Sequence, residues 1–178
     1  MNAARPAPAF RPFAWKRTCP VSDIEGLMIR EARRDDLEAL IAIFAADDLG
    51  GHGDTTDPEA YGDYRAAFDA IAASANDTLY VAELDGMVVG TFQTSYTRTL
   101  TGRGGAVLTI EAVQTHPDWR SRGIGAKMIA AAIEKARAED CRLVQLMSNR
   151  SRADAHRFYE RLGFTPSHRG FKMKLKGL

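Results

Sequence analysis

Between Arg120 and Ala126 the chain reads R-S-R-G-I-G-A, two arginines and two glycines where a β-type run gives way to a helical pattern. A turn of this kind suits an anion. The first N–H groups of a helix have no intrahelical partner, and the helix dipole favours negative charge beside them. Glycine at 123 and 125 removes the Cβ that would keep a phosphate off the backbone, while Arg120 and Arg122 add positive charge. Spacing alone leaves an ordinary helix entry equally open. The turn lacks both the G-x-x-x-x-G-K-[ST] run of a nucleotide P-loop and the third glycine of a dinucleotide fingerprint.

Upstream, Glu111 interrupts an apolar run, I-E-A-V. A carboxylate there is costly unless it faces a wet cleft or a cation. It is therefore either a base or anchor for a cationic substrate, or half of a salt bridge on an outer sheet face. His52, His116, His156 and His168 show no metal-like spacing, so no metal is expected. The loop from Asp47 to Pro58 gathers Asp47, Asp48, Asp54 and Asp57 around His52. It could draw in a cationic amine, or be a merely solvated loop.

The elements that must position these groups belong to a chain of ordinary globular composition. At 178 residues, 45% hydrophobic and 26% charged, it has the size of one domain and is neither a disordered nor a membrane class. A formal charge of +1 gives no general pull toward nucleic acid. No apolar stretch approaches the roughly 20 residues needed to cross a bilayer. Cys19 and Cys141 lie far apart in different kinds of segment, which fits a reduced, cytoplasmic chain. Residues 1–27 carry Pro6, Pro8, Pro12 and Pro20 with several arginines and read as a flexible tail, leaving 28–178 as one domain.

In chain order the pattern predicts a short strand at 28–32. A helix opening at Arg34-Asp35-Asp36 follows, with Leu37, Leu40, Ile41 and Phe44 on one face, and then a second helix over 58–74. Strands over 77–84 and 87–97 flank Asp85-Gly86, a hairpin signal. A strand over 106–115 leads to the glycine turn. A helix over 124–139, a buried strand over 142–147 and a helix over 152–162 with Gly163 as its cap come next. Phe164-Thr165 and Phe171 to Leu175 read as two last short strands.

This order resembles that of the GNAT family of N-acetyltransferases over about Met28 to Leu175. Two motifs carry the resemblance. Arg120-x-x-Gly123-x-Gly125 is similar to the family's [RQ]-x-x-G-x-[GA] pyrophosphate loop. Ala155-x-x-Phe158-Tyr159-Glu160-Arg161-Leu162-Gly163-Phe164 is similar to its late A-x-x-x-Y-x-x-x-G-F signature. The resemblance implies an α+β fold: a central, mostly antiparallel mixed sheet of about seven strands, flanked by about four helices. It also implies acetyl-CoA as cosubstrate. The backbone of Val113, Gln114 and Thr115 would face the pantetheine arm, and Arg120, Ser121, Arg122, Gly123, Ile124, Gly125 and Ala126 would surround the pyrophosphate. Many members carry an asparagine seven residues before the late tyrosine, in contact with the cofactor. Here Arg152 stands there, with Asn149 three residues earlier, and both are candidates for that contact.

By the same resemblance Tyr159 occupies the general-acid position. Its unperturbed pKa near 10 lies close enough to a thiol's, about 8.5, for it to protonate a departing thiolate; packing on the sheet is its alternative role. Glu111 could then deprotonate the amine, directly or through water. The implied activity is transfer of an acetyl group to a primary amine of a small molecule by direct attack in a ternary complex. Acetylation of a protein or peptide, or a non-catalytic CoA-binding regulatory module, are the other readings. The expected partners are acetyl-CoA and the amine, without nucleic acid or membrane, and with a homodimer suggested by the family.

Overall fold

The computed structural model describes residues 24–47, 53–173 and 175. Five strands lie in the order β1-β2-β3-β4-β5, so neighbours in sequence are neighbours in the sheet. β1 (Met28–Glu31), β2 (Asp77–Leu84), β3 (Met87–Arg98) and β4 (Ala106–Thr115) pair antiparallel, and β5 (Cys141–Leu146) joins β4 in parallel. The β2–β3 hairpin closes through Asp85 and Gly86, both with positive φ (51° and 78°), in the two-residue turn that its dipeptide predicts.

Two layers of helix cover this sheet. α3 (Ile124–Ala138) is the crossover between the parallel strands β4 and β5. It buries Ile124, Met128, Ile129, Ala132 and Ala136 against Phe92, Leu108 and Ile110 of the sheet. Leu162, just past α4 (Ala153–Arg161), completes that cluster. The second cluster joins Leu37, Leu40 and Ile41 of α1 (Leu37–Ala45) and Phe68 of α2 (Tyr61–Ala72) to Val81 of β2. Apolar residues at the i, i+3 and i+4 positions of α1 meet the sheet, as the periodicity requires. A 3-10 turn at Pro58–Ala60 leads into α2, with the Asp57 carboxylate accepting from the Glu59 N–H at 2.9 Å.

Two expectations change. The sheet has five strands rather than about seven, because Phe164-Thr165 and the described part of Phe171 to Leu175 join no ladder. After α4 the chain turns tightly at Pro166, where the Ser167 N–H donates to the Thr165 carbonyl at 2.9 Å. Phe171, Met173 and Leu175 stay exposed. Apolar alternation proposes a strand, but only a partner edge makes one. The folded part also begins before Met28, since Ile24 and Leu27 pack against the larger core cluster. The rest of the expected tail, residues 1–23, lies outside the described residues, as do Asp48 and His52.

Candidate active site

The site is built around an early end to strand pairing. β4 and β5 run side by side from Ala106–Cys141 to Ile110–Leu146, and there the parallel ladder stops. β4 continues to Thr115, paired among the described residues with β3 alone, so from Glu111 onward no described strand covers its other edge. A bulge marks the point of departure. Ala112 has φ 49°, and the β3–β4 register slips between Gln93–Glu111 and Thr91–Gln114. The extra residue sets which side chains share a face. Val113 packs on the α3 side with Ile110, while the Gln114 amide reaches Asp47 at the end of α1, donating at 3.0 Å. Glu111, next to Ile110 and three residues before Gln114, therefore falls on the α1 side. It is exposed and meets no ion-pair partner among the described residues.

The free arm of β4 runs into the glycine turn. Arg120 turns back on it, its Nε donating to the Thr115 carbonyl at 3.2 Å. The Arg122 guanidinium lies over the Trp119 ring, 4.6 Å from its centroid. Ser121 (φ 61°) and Gly123 (φ 87°) are both left-handed, and Gly123 caps α3 directly. The first helical bond runs from the Lys127 N–H to the Gly123 carbonyl, which leaves the N–H groups of Ile124, Gly125 and Ala126 without an intrahelical acceptor. Gly125 also answers a packing demand: a Cβ there would meet Phe158 Cζ at 3.2 Å. Its hydrogen lets α3 and α4 close on each other, and so joins the two motifs in space.

Tyr159 is fixed by the way α4 stops. Gly163, at φ 93°, follows the last turn; its N–H donates to Glu160 and the Phe164 N–H donates to the Tyr159 carbonyl at 3.1 Å. The Phe164 and Phe158 rings meet the tyrosine ring edge-on, with centroids 5.9 and 5.1 Å away. The G-F of the late signature is thus the device that holds the tyrosine. Burial pushes the phenol above its ordinary range and the Arg152 guanidinium pulls it the other way. No hydrogen bond to its hydroxyl is formed among the described residues, and no buried side-chain oxygen or nitrogen among them lacks a partner.

The two remaining candidates, Asn149 and Arg152, have partners within the protein. The Asn149 side-chain oxygen accepts from the Ser151 N–H and hydroxyl, both at 3.0 Å, in a local turn before α4. Arg152, at the N-cap of α4, pairs with Asp47. Two more acids of the long loop are also engaged: Asp54 accepts from the Tyr64 hydroxyl at 3.1 Å and Asp57 caps the turn before α2. The Asp47 link and the Gly125–Phe158 contact had no signal in the sequence, because each joins residues more than thirty positions apart. No group of three or more metal-type ligands occurs among the described residues, and no helix among them is long and apolar enough to cross a membrane.

Comparison with known proteins decides the family. Residues 37–164 match the model of the acetyltransferase (GNAT) family. The chain belongs to the GNAT family. A solved structure described as a transcriptional regulator from Bacillus halodurans is 40% identical, over 84% of this chain and 99% of that one, with a TM-score of 0.81. An aminoalkylphosphonate N-acetyltransferase from Salmonella typhimurium is 39% identical over 66 residues, which are 37% of this GNAT chain and 43% of that enzyme. The match thus spans less than half of that relative. An aminoglycoside N-acetyltransferase in complex with CoA shares the GNAT fold at 19% identity and a TM-score of 0.68, over 85% of this chain and 95% of that one.

Proposed function

We propose that this GNAT protein is an N-acetyltransferase that moves the acetyl group of acetyl-CoA to a primary amine of a small molecule, by direct attack in a ternary complex. The observation that carries the reading is the end of β4–β5 pairing at Ile110–Leu146, which leaves a β4 edge leading into the N-terminus of α3, where the Gly123 cap brings no side chain. Those groups fit the cosubstrate. The backbone of Val113, Gln114 and Thr115 would pair with the amides of the pantetheine arm as an added strand does. The N–H groups from Arg122 to Ala126 would receive the pyrophosphate, and Arg120 and Ser121 would shape that turn. Acetyl-CoA supplies the thioester. Glu111, on the free arm and in water, accepts the proton that the amine gives up as its nitrogen bonds to the acyl carbon. Tyr159 gives its proton to the thiolate as the C–S bond breaks.

Amine acceptors are supported by the names of the aminoalkylphosphonate and aminoglycoside relatives. The neighbour described as a transcriptional regulator favours a second reading, a CoA-binding regulatory module. An amine panel with acetyl-CoA, followed by released thiol, separates the two: turnover with any amine ends the second reading, and none across the panel ends the first. Gly123→Glu should abolish acetyl-CoA binding by bulk and charge, and unchanged affinity in calorimetry would sink the phosphate site. We also propose a reducing, cytoplasmic setting and a homodimer. The homodimer is supported by the large exposed side chains of Phe171, Met173 and Leu175, and light scattering that gives a monomer mass would end it.

A further inference from the structure

The tightest polar junction at the split is one that the transfer scheme leaves unused. Asp47 follows the end of α1, where its N–H donates to the Phe44 carbonyl at 3.1 Å. Its side chain is only 10% exposed, and one oxygen, Oδ2, accepts from both Gln114 Nε2 and the Arg152 guanidinium. Gln114 belongs to the free arm of β4. Arg152 opens α4, beyond β5, on the other side of the split. One carboxylate from the α1 layer therefore grips both arms.

An exposed ion pair would carry little weight. This carboxylate is shielded and shared by two donors from distant segments, 67 and 105 residues away in sequence, so breaking it strands a covered charge and releases both arms at once. Arg152 also stands seven residues before Tyr159, two turns along the same face of α4, close enough for its charge to act on the phenol. We propose that Asp47 is a positioning residue for acetyl transfer: by holding Gln114 on one arm and Arg152 on the other, it fixes the start of α4, and so Tyr159, against the free arm of β4. This role rests on the transfer reading. Asp47 itself gives and takes no proton in it.

The test uses the full chain with Asp47→Ala, Asp47→Asn, Asp47→Glu and Arg152→Gln. Hydrogen exchange at the amides of Val113 to Thr115, without any ligand, should quicken about tenfold in Asp47→Ala. With acetyl-CoA and an amine that the wild type acetylates, kcat should fall about tenfold, more than the KM for acetyl-CoA rises through the loosened arm. Asp47→Glu should recover most of that loss, and Asp47→Asn and Arg152→Gln, which keep the local shape, carry the comparison should Asp47→Ala not fold. Wild-type exchange and kcat in Asp47→Ala would overturn the positioning role alone. So would a joint loss of kcat, KM and melting temperature that Asp47→Glu fails to restore. A wild type that releases no thiol with any amine would overturn the transfer reading and this role with it, and faster exchange in Asp47→Ala would then mark a purely structural bridge.

Discussion

Tyr159, the proposed proton donor, is set by what surrounds it rather than by its type. Its ring is clamped by Phe158 and Phe164, its carbonyl is tied by the Phe164 N–H, and its hydroxyl meets no hydrogen-bond partner among the described residues. Burial raises the phenol's pKa, with Arg152 opposing, so the proton stays on to higher pH than on a free tyrosine. A proton donor must be protonated to act. The rate should therefore hold up to about pH 10 and fall only above it. Arg152→Gln, by removing the opposing cation, should move that alkaline limb further up, and a limb that stays put would show that the phenol is not the group being read. Tyr159→Phe should lower kcat by about a hundredfold or more while acetyl-CoA affinity changes less than about twofold, measured by thiol release and calorimetry.

At the scale of elements, the late signature is a helix-stop motif that holds the proposed proton donor. Its glycine can be isolated from everything else: a Cβ at Gly163 would touch nothing within 4 Å, yet φ is 93°. Gly163→Ala should therefore cost about 1–2 kcal/mol through backbone strain alone, read by urea unfolding, and a cost near zero would show that α4 can end another way. Local signals of this kind were legible in advance. The hairpin at Asp85-Gly86, the strand at 106–115 and the helix after Gly123 follow from turn chemistry and periodicity within a few residues. Contacts between distant segments were not. Nothing in the order of residues shows that Gly125 meets Phe158, or that Asp47 spans the split, since neither pair shares an element. The last two strands failed for the same reason, since the alternation around Phe171 is visible but the edge it would need is not.

In the molecule as a whole, the α1–α2 layer is joined to the sheet by carboxylates as well as by its apolar cluster. Asp36, in the 3-10 turn before α1, takes Arg30 of β1 in a two-pronged contact at 2.7 and 2.8 Å and the Arg33 N–H at 2.6 Å. Arg30 also reaches Glu83 of β2 at 2.7 Å. On the far side, Asp77 of β2 accepts from the Ser95 and Ser74 hydroxyls at 2.6 and 2.7 Å, linking the end of α2 to β3. The Arg30 contact holds the Asp36 carboxyl below its usual range against the opposing effect of burial, and the Ser95 and Ser74 hydroxyls lower Asp77. A folded-state pKa below the unfolded value, about 3.9, means stability that is fully present above that value. It is lost as pH falls through the lowered folded-state pKa. Urea unfolding should thus give constant stability from neutral pH down to about 5 and a decline below about 4. Asp36→Asn should remove about 2–3 kcal/mol at neutral pH, because Arg30, with its side chain only 16% exposed, loses its two-pronged partner. The variant should also decline less steeply in acid. Equal stability of the two proteins at pH 7, or parallel acid curves, would mean that the apolar cluster around Leu40 and Phe68 holds this layer without help from the charge.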